Sequence, residues 1–194
     1  MLSENFIYLA AAINSLAGLN YLIDTLRGRV QPNKVTWLLW ALAPLIAFTA
    51  EMGQGVGLVS VITFLAGFFP LLIFLASFLN RKSRWKLTTF DFICGGLSVV
   101  GLLLWYITRL GNIAITFSIL ADLLAGIPTL IKSFNTPQSE SARAFFLTSL
   151  GSVLTVLTIS SWTFANYAFP GYLVLMNGAI FVFIYFKVGK LFRK

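Results

Sequence analysis

Residues 16–23 read LAGLNYLI and residues 124–131 read LAGIPTLI, five identities in eight positions at an offset of 108. At the same offset Leu39 falls on Leu147 and Leu42 on Leu150. Leu, Ala and Gly are abundant in any apolar helix, so the match gains its weight from what surrounds it. A span needs roughly 20 mostly apolar residues to cross the hydrocarbon of a bilayer. Seven such stretches can be marked, at 5–26, 35–51, 56–79, 89–108, 111–132, 143–161 and 165–187. Shifted by 108, the first falls on the fifth, the second on the sixth and the third on the seventh.

The composition agrees with this reading. Hydrophobic residues make up 58% of the chain and charged residues 10%, whereas a soluble domain carries about 25% charged residues. Lipid offers no partner to an exposed backbone, and the stretches are too long and too uniformly apolar for barrel strands, so a helical bundle follows. The expected fold is therefore all-α and integral to the membrane, with seven transmembrane helices. Residues 1–80 hold the first three-helix repeat and 81–110 a linker with the fourth helix. Residues 111–194 hold the second repeat and a basic tail. Three helices reverse direction, so a fourth is needed to make the two repeats parallel, as in known transporters related by an axis along the membrane normal.

Charge sets the orientation. Arg27, Arg29, Lys34, Arg81, Lys82, Arg84, Lys86, Lys132, Arg143, Lys187, Lys190, Arg193 and Lys194 fall on one side of the seven-span threading, and Arg109 alone on the other. The positive-inside rule places the N-terminus outside and the C-terminus in the cytosol, in a plasma or inner membrane. The net charge of +8 is read as a topology signal and a contact with anionic lipid headgroups, not as a nucleic-acid surface. Trp85 within the run Arg81–Lys86 suits the headgroup zone. Glu4 stands where a cleavable leader would be basic, so the first stretch is expected to stay as a span. Cys94 is the single cysteine and there is no histidine, so neither an internal disulfide nor a common metal site is expected, and no cofactor. An enzyme is disfavoured: there is no Ser-His pair, no G-x-S-x-G and no pair of mid-span aspartates.

An ionisable group inside the hydrocarbon costs about 2.5–3.5 kcal/mol on insertion scales, which makes Asp122, near the middle of the fifth span, the first candidate for a pathway. Its counterpart in the first span is Asn14, so both equivalent positions are polar at similar depth. Interhelical hydrogen bonding is the plainer role for each. Burial disfavours the charged form of a carboxyl, so Asp122 is also a candidate for proton coupling. Asp24, Glu51, Asp91 and Glu140 are read as lying at or beyond helix ends. Pro44, Pro70, Pro128 and Pro170 each remove a helix hydrogen bond and mark points of bending.

The stretch GIPTLIKSFNTPQSESARAFFL, residues 126–147, and its counterpart GLNYLIDTLRGRVQPNKVTWLLW, residues 18–40, resemble the SWEET and PQ-loop superfamily of membrane carriers. Pro128 and Thr129 take the place of the family dipeptide, while the literal Pro137-Gln138 lies in the linker. The resemblance implies a three, one, three helix arrangement and transport of a small polar solute, a sugar or similar molecule, by alternating access. It implies that Trp162, at the outer end of the sixth span, and Asn177, midway along the seventh, hold the substrate, and that Pro44 and Pro128 act as hinges. Asn20 and Ser152 occupy the family's other two hinge positions. The first repeat departs from the pattern, with Gln54 opposite Trp162 and Phe69 opposite Asn177. Trp40 is a candidate for the missing aromatic wall, and Trp37 is read as an interfacial anchor. The expected binding set is thus Asn14, Asp122, Trp162, Asn177 and Trp40. The alternatives are a proton-coupled carrier of an amino acid, vitamin or other metabolite, and a receptor of the same fold that binds without transporting. The expected partners are the solute and membrane lipids, with homo-oligomerisation left open.

Overall fold

The computed structural model describes residues 2–79, 88–89, 91–93, 96, 103, 106–107 and 111–191. Among them the structure is helical without strands. Six long helices are present: α1 (Phe6–Leu26), α2 (Lys34–Gly53), α3 (Ser60–Leu79), α4 (Gly111–Asn135), α5 (Ala142–Thr158) and α6 (Phe164–Tyr185). A 3-10 turn, Gly57–Val59, leads into α3, and a short helical turn, Val188–Leu191, follows α6. Most of the expected fourth span, the Arg81–Lys86 run, Cys94, Arg109, Arg193 and Lys194 lie outside the described residues.

Five of the helices are long and apolar enough to cross a membrane, and α5, at 17 residues, is shorter. A 20-residue helix is about 30 Å long, the thickness of the hydrocarbon. Large apolar side chains point outward, Leu79 and Leu175 being 79% and 74% exposed, while Ala10, Ala17, Ala41, Ala47, Ala121, Ser118, Ser152 and Thr155 are buried. A water-soluble bundle would reverse that distribution. Small residues inside and large ones outside are what helices use when lipid is the solvent, because close backbone approach then drives association. The architecture is consistent with an integral membrane protein.

The helix ends follow from local chemistry. α1 stops in a Schellman motif: Gly28 takes φ +67°, its amide donates to the Thr25 carbonyl at 3.0 Å, and the Arg29 amide donates to the Asp24 carbonyl at 2.9 Å. Glycine adopts this conformation without a Cβ clash. α2 starts at Asn33, whose side-chain oxygen accepts from the amides of Val35 and Thr36, satisfying two otherwise orphaned donors. The sixth span was expected to run to 161 but α5 ends at Thr158, where Ile159 turns extended. α4 runs past Lys132 to Asn135 because that end is packed against the neighbouring linker.

The helices form a closed ring in the order α1, α3, α2, α4, α6, α5 and back to α1. Exchanging α1 with α4, α2 with α5 and α3 with α6 maps every one of these neighbour pairs onto another. The two linkers, 27–33 and 136–141, meet at one end of the bundle, where the Gln31 amide donates to the Ser139 carbonyl at 3.0 Å. At the other end the Leu2 amide donates to the Leu157 carbonyl at 2.9 Å. α1 therefore runs antiparallel to α5, and the same holds for α2 and α4, where Thr36 reaches the Ala125 carbonyl and Trp40 the Asp122 carbonyl.

Candidate functional site

A cavity of about 70 Å³ lies inside the ring. Ten of its lining residues form five pairs whose members stand 108 positions apart: Asn14 with Asp122, Trp37 with Phe145, Trp40 with Thr148, Leu65 with Leu173, and Phe69 with Asn177. A space bounded by both members of so many equivalent pairs sits on the axis that relates the halves.

Asn14 is held by its own helix, Nδ2 donating to the Ala10 carbonyl at 3.0 Å. Gly151 on α5 makes room for it: a Cβ there would lie 2.1 Å from Asn14 Nδ2. Asp122 is buried, and its Oδ2 accepts from the Tyr172 hydroxyl at 2.6 Å. The Trp40 indole donates to the backbone carbonyl of Asp122 at 3.0 Å, and Thr36 Oγ1 donates to that of Ala125 at 2.7 Å. These bonds flank Leu124, whose carbonyl loses its helix partner because Pro128 has no N–H. Side chains from α2 thus hold α4 where its own ladder is interrupted, a common way for membrane helices to tolerate proline. Asn177 Nδ2 donates to the Leu173 carbonyl at 2.9 Å. Pro44 is buried within α2, as Pro128 is within α4.

Of the expected binding residues, Asn14, Asp122, Asn177 and Trp40 come together at the cavity. Trp162 does not join them. It is 59% exposed, between the end of α5 and the start of α6, with its ring 6.0 Å from that of Tyr167. Early termination of α5 leaves it on the rim.

One reading is corrected, and two of the residues placed at helix ends prove to be buried. Trp37 is no interfacial anchor: it is buried, lines the cavity and packs on Tyr21 at a centroid distance of 4.4 Å. Glu51 is buried near the C-terminus of α2 and accepts from Thr63 Oγ1 at 3.0 Å. Glu140, read as a linker residue, is buried too. It forms an ion pair with Lys132, itself buried, and accepts from the Tyr21 hydroxyl at 2.5 Å. The Lys132 ammonium also donates to the Gln31 carbonyl. This cluster ties the halves together beneath the cavity, and Tyr21 belongs to both.

Sequence reasoning missed Tyr172 and the Tyr21–Glu140–Lys132 cluster. A signal for the cluster was present: Asp24 and Lys132 occupy equivalent positions with opposite charge. Nothing local distinguishes Tyr172.

Comparison with protein-family models, with curated proteins and with solved structures finds no match to this chain.

Proposed function

We propose that the protein is a carrier of a small polar solute, working by alternating access in the manner of the SWEET and PQ-loop proteins it resembles. The observation that carries this reading is the cavity bounded by five equivalent residue pairs. A site on the axis between two like halves can be opened to either side by rocking one half against the other, while the site itself moves little. The linker end is bonded across the halves by Gln31, Ser139, Lys132, Glu140 and Tyr21, so these contacts form the gate at that end. Pro44 and Pro128, which interrupt α2 and α4 beside the cavity, are the points of flexure.

The test is flux. Purified protein in proteoliposomes should take up solute, and Asn177→Ala, which removes an amide from the cavity wall, should lower the rate at least fivefold. Saturable binding without flux would overturn the carrier and favour a receptor. Absence of uptake across a broad sugar panel would remove the sugar version alone.

The contact between Asp122 and Tyr172 favours a second reading, proton-coupled transport. A buried carboxyl with a hydroxyl partner can exchange a proton as the cavity alternates between sides. Transport that ignores an imposed pH gradient and survives Asp122→Asn would rule it out.

A further inference from the structure

We propose that a groove on the outer surface of the second repeat, over α6 and between α4 and α5, holds one acyl chain of a membrane phospholipid, and that this chain steadies the contact between Tyr172 and Asp122. The proposal goes beyond the carrier reading and does not depend on it.

The groove follows from the order of the helices. In the ring α6 lies between α4 and α5, so both flank it. The space they leave measures about 690 Å³. Its floor is a single stripe of α6, Phe164, Tyr167, Ala168, Gly171, Val174 and Leu175, at the spacing of one helix face. A Cβ on Gly171 would meet nothing within 4 Å, so the space above it is open. Leu120, Leu157 and Leu175 at its edges are 44%, 48% and 74% exposed, which places the opening on the apolar surface that lipid covers. Among the described residues none that lines it is charged, and the Thr116 hydroxyl is already spent on the Asn112 carbonyl at 2.9 Å.

Its length fits one leaflet. From Phe164 to Leu175 an α-helix rises about 16 Å, and half of a hydrocarbon core is about 15 Å thick. The groove lies in the half of the bundle away from the linkers, where α5 ends and α6 begins. At its mouth Trp162 and Tyr167 are both exposed, their rings 6.0 Å apart, and such residues gather at headgroup level. A phospholipid held at that level lays one chain along the groove as far as Gly171 and Tyr172.

The first repeat shows what makes the groove. Phe64 and Phe48 stand there in the places of Tyr172 and Val156, and Ser60 and Thr63 in those of Ala168 and Gly171. Phe64 has no hydroxyl and stays between Phe48 and Phe68, at centroid distances of 5.4 and 5.6 Å. Tyr172 lines the groove but aims its hydroxyl at Asp122 Oδ2, 2.6 Å away. The corresponding Asn14 is bonded within its own helix. The bond that serves the Asp122 carboxyl thus leaves the outer face vacant. A chain lying in that space keeps the Tyr172 ring from swinging outward, so chain and bond favour each other, as linkage requires.

The test is native mass spectrometry of the whole chain from detergent micelles supplemented with dioleoylphosphatidylcholine. Glycerophosphocholine, the headgroup without chains, is the control. The unaltered protein should keep one dioleoylphosphatidylcholine, and no glycerophosphocholine, after loosely held lipid is stripped. Gly171→Leu, which fills the open space, should lower that occupancy at least fivefold. Gly53→Leu, at the exposed end of α2, should leave it unchanged. Tyr172→Phe, with no hydroxyl to hold the ring at Asp122, should lower it at least threefold. No retained lipid, equal retention by folded Gly171→Leu, or equal retention of glycerophosphocholine would each overturn the proposal. So would a dimer that Gly171→Leu dissociates, which would make the groove a contact between two copies. Undiminished retention by Tyr172→Phe would overturn the link to Asp122. Where Gly171→Leu fails to fold, Ala168→Leu on the same floor decides in its place.

Discussion

Gln31 and Ser139 stand 108 residues apart and meet in space, the amide of the first donating to the carbonyl of the second at 3.0 Å. Equivalent residues can touch only on the axis that relates their repeats. A perfect two-fold would add the reciprocal bond, but the Ser139 amide turns to the Thr136 carbonyl at 3.0 Å and the Gln31 carbonyl takes the Lys132 ammonium instead. The halves are alike in backbone path and unlike in the chemistry that joins them.

The ion pair beneath the cavity should behave as a unit. Lys132→Met leaves the Glu140 carboxylate buried and uncompensated, which costs about 3–5 kcal/mol, while replacing both partners by apolar residues of similar volume is often nearly neutral. Thermal unfolding in detergent should therefore show Lys132→Met far below the parent, with Lys132→Met/Glu140→Leu recovering most of the loss. A double variant as unstable as the sum of the single ones would mean that the pair is not coupled.

Gly18 and Gly126 are equivalent, yet a methyl group should be tolerated unequally at them. A Cβ on Gly18 would lie 2.1 Å from Cγ of the Phe69 ring, whereas one on Gly126 would first meet the flexible end of Met176 at 2.2 Å. Overpacking costs about 1–3 kcal/mol, and methionine adapts more easily than a phenyl ring. Gly18→Ala should lower the unfolding temperature more than Gly126→Ala; the opposite order would contradict the packing described.

Gly28 is the left-handed residue that closes α1, at φ +67°. Any side chain there costs about 1–2 kcal/mol, so Gly28→Ala should destabilise the fold by that amount in a denaturation measurement. A change near zero would require a different turn between α1 and α2.

The two linkers share one end of the bundle, which labelling can check. In a Cys94→Ser background, Arg29→Cys and Gln138→Cys should react with a membrane-impermeant thiol reagent from one side of sealed vesicles. Met52→Cys, at the exposed far end of α2, should react from the other. Labelling of positions 29 and 138 from opposite sides would contradict parallel repeats.

Helix positions were legible because they depend on runs of neighbours. The expected 5–26 is found as Phe6–Leu26 and the expected 56–79 ends at Leu79, since apolar length and terminal residues such as Asn33 and Gly28 are local signals. Asn14 and Asp122 could be paired in advance because the 108-residue offset carries positions from one half to the other, whereas Asn177 was named from the family resemblance and Trp40 as a stand-in for an aromatic residue that the first repeat lacks. The bond from Tyr21 to Glu140 spans 119 residues and depends on how the halves dock, which no local pattern encodes. Trp162 stays outside the cavity for a related reason: whether a residue at a helix end faces inward turns on the last half-turn, and α5 stops at Thr158 before reaching it.

Asp24 and Lys132 hold matching places in the two repeats, and the lysine has become the bolt that reaches the Gln31 carbonyl of the opposite half. Had the molecule been assembled from two separate identical subunits, each such place would carry the same residue and the same sign. Carrying both copies in a single polypeptide lifts that restriction, and lets one repeat keep an acid where the other has turned a cation to joining the halves.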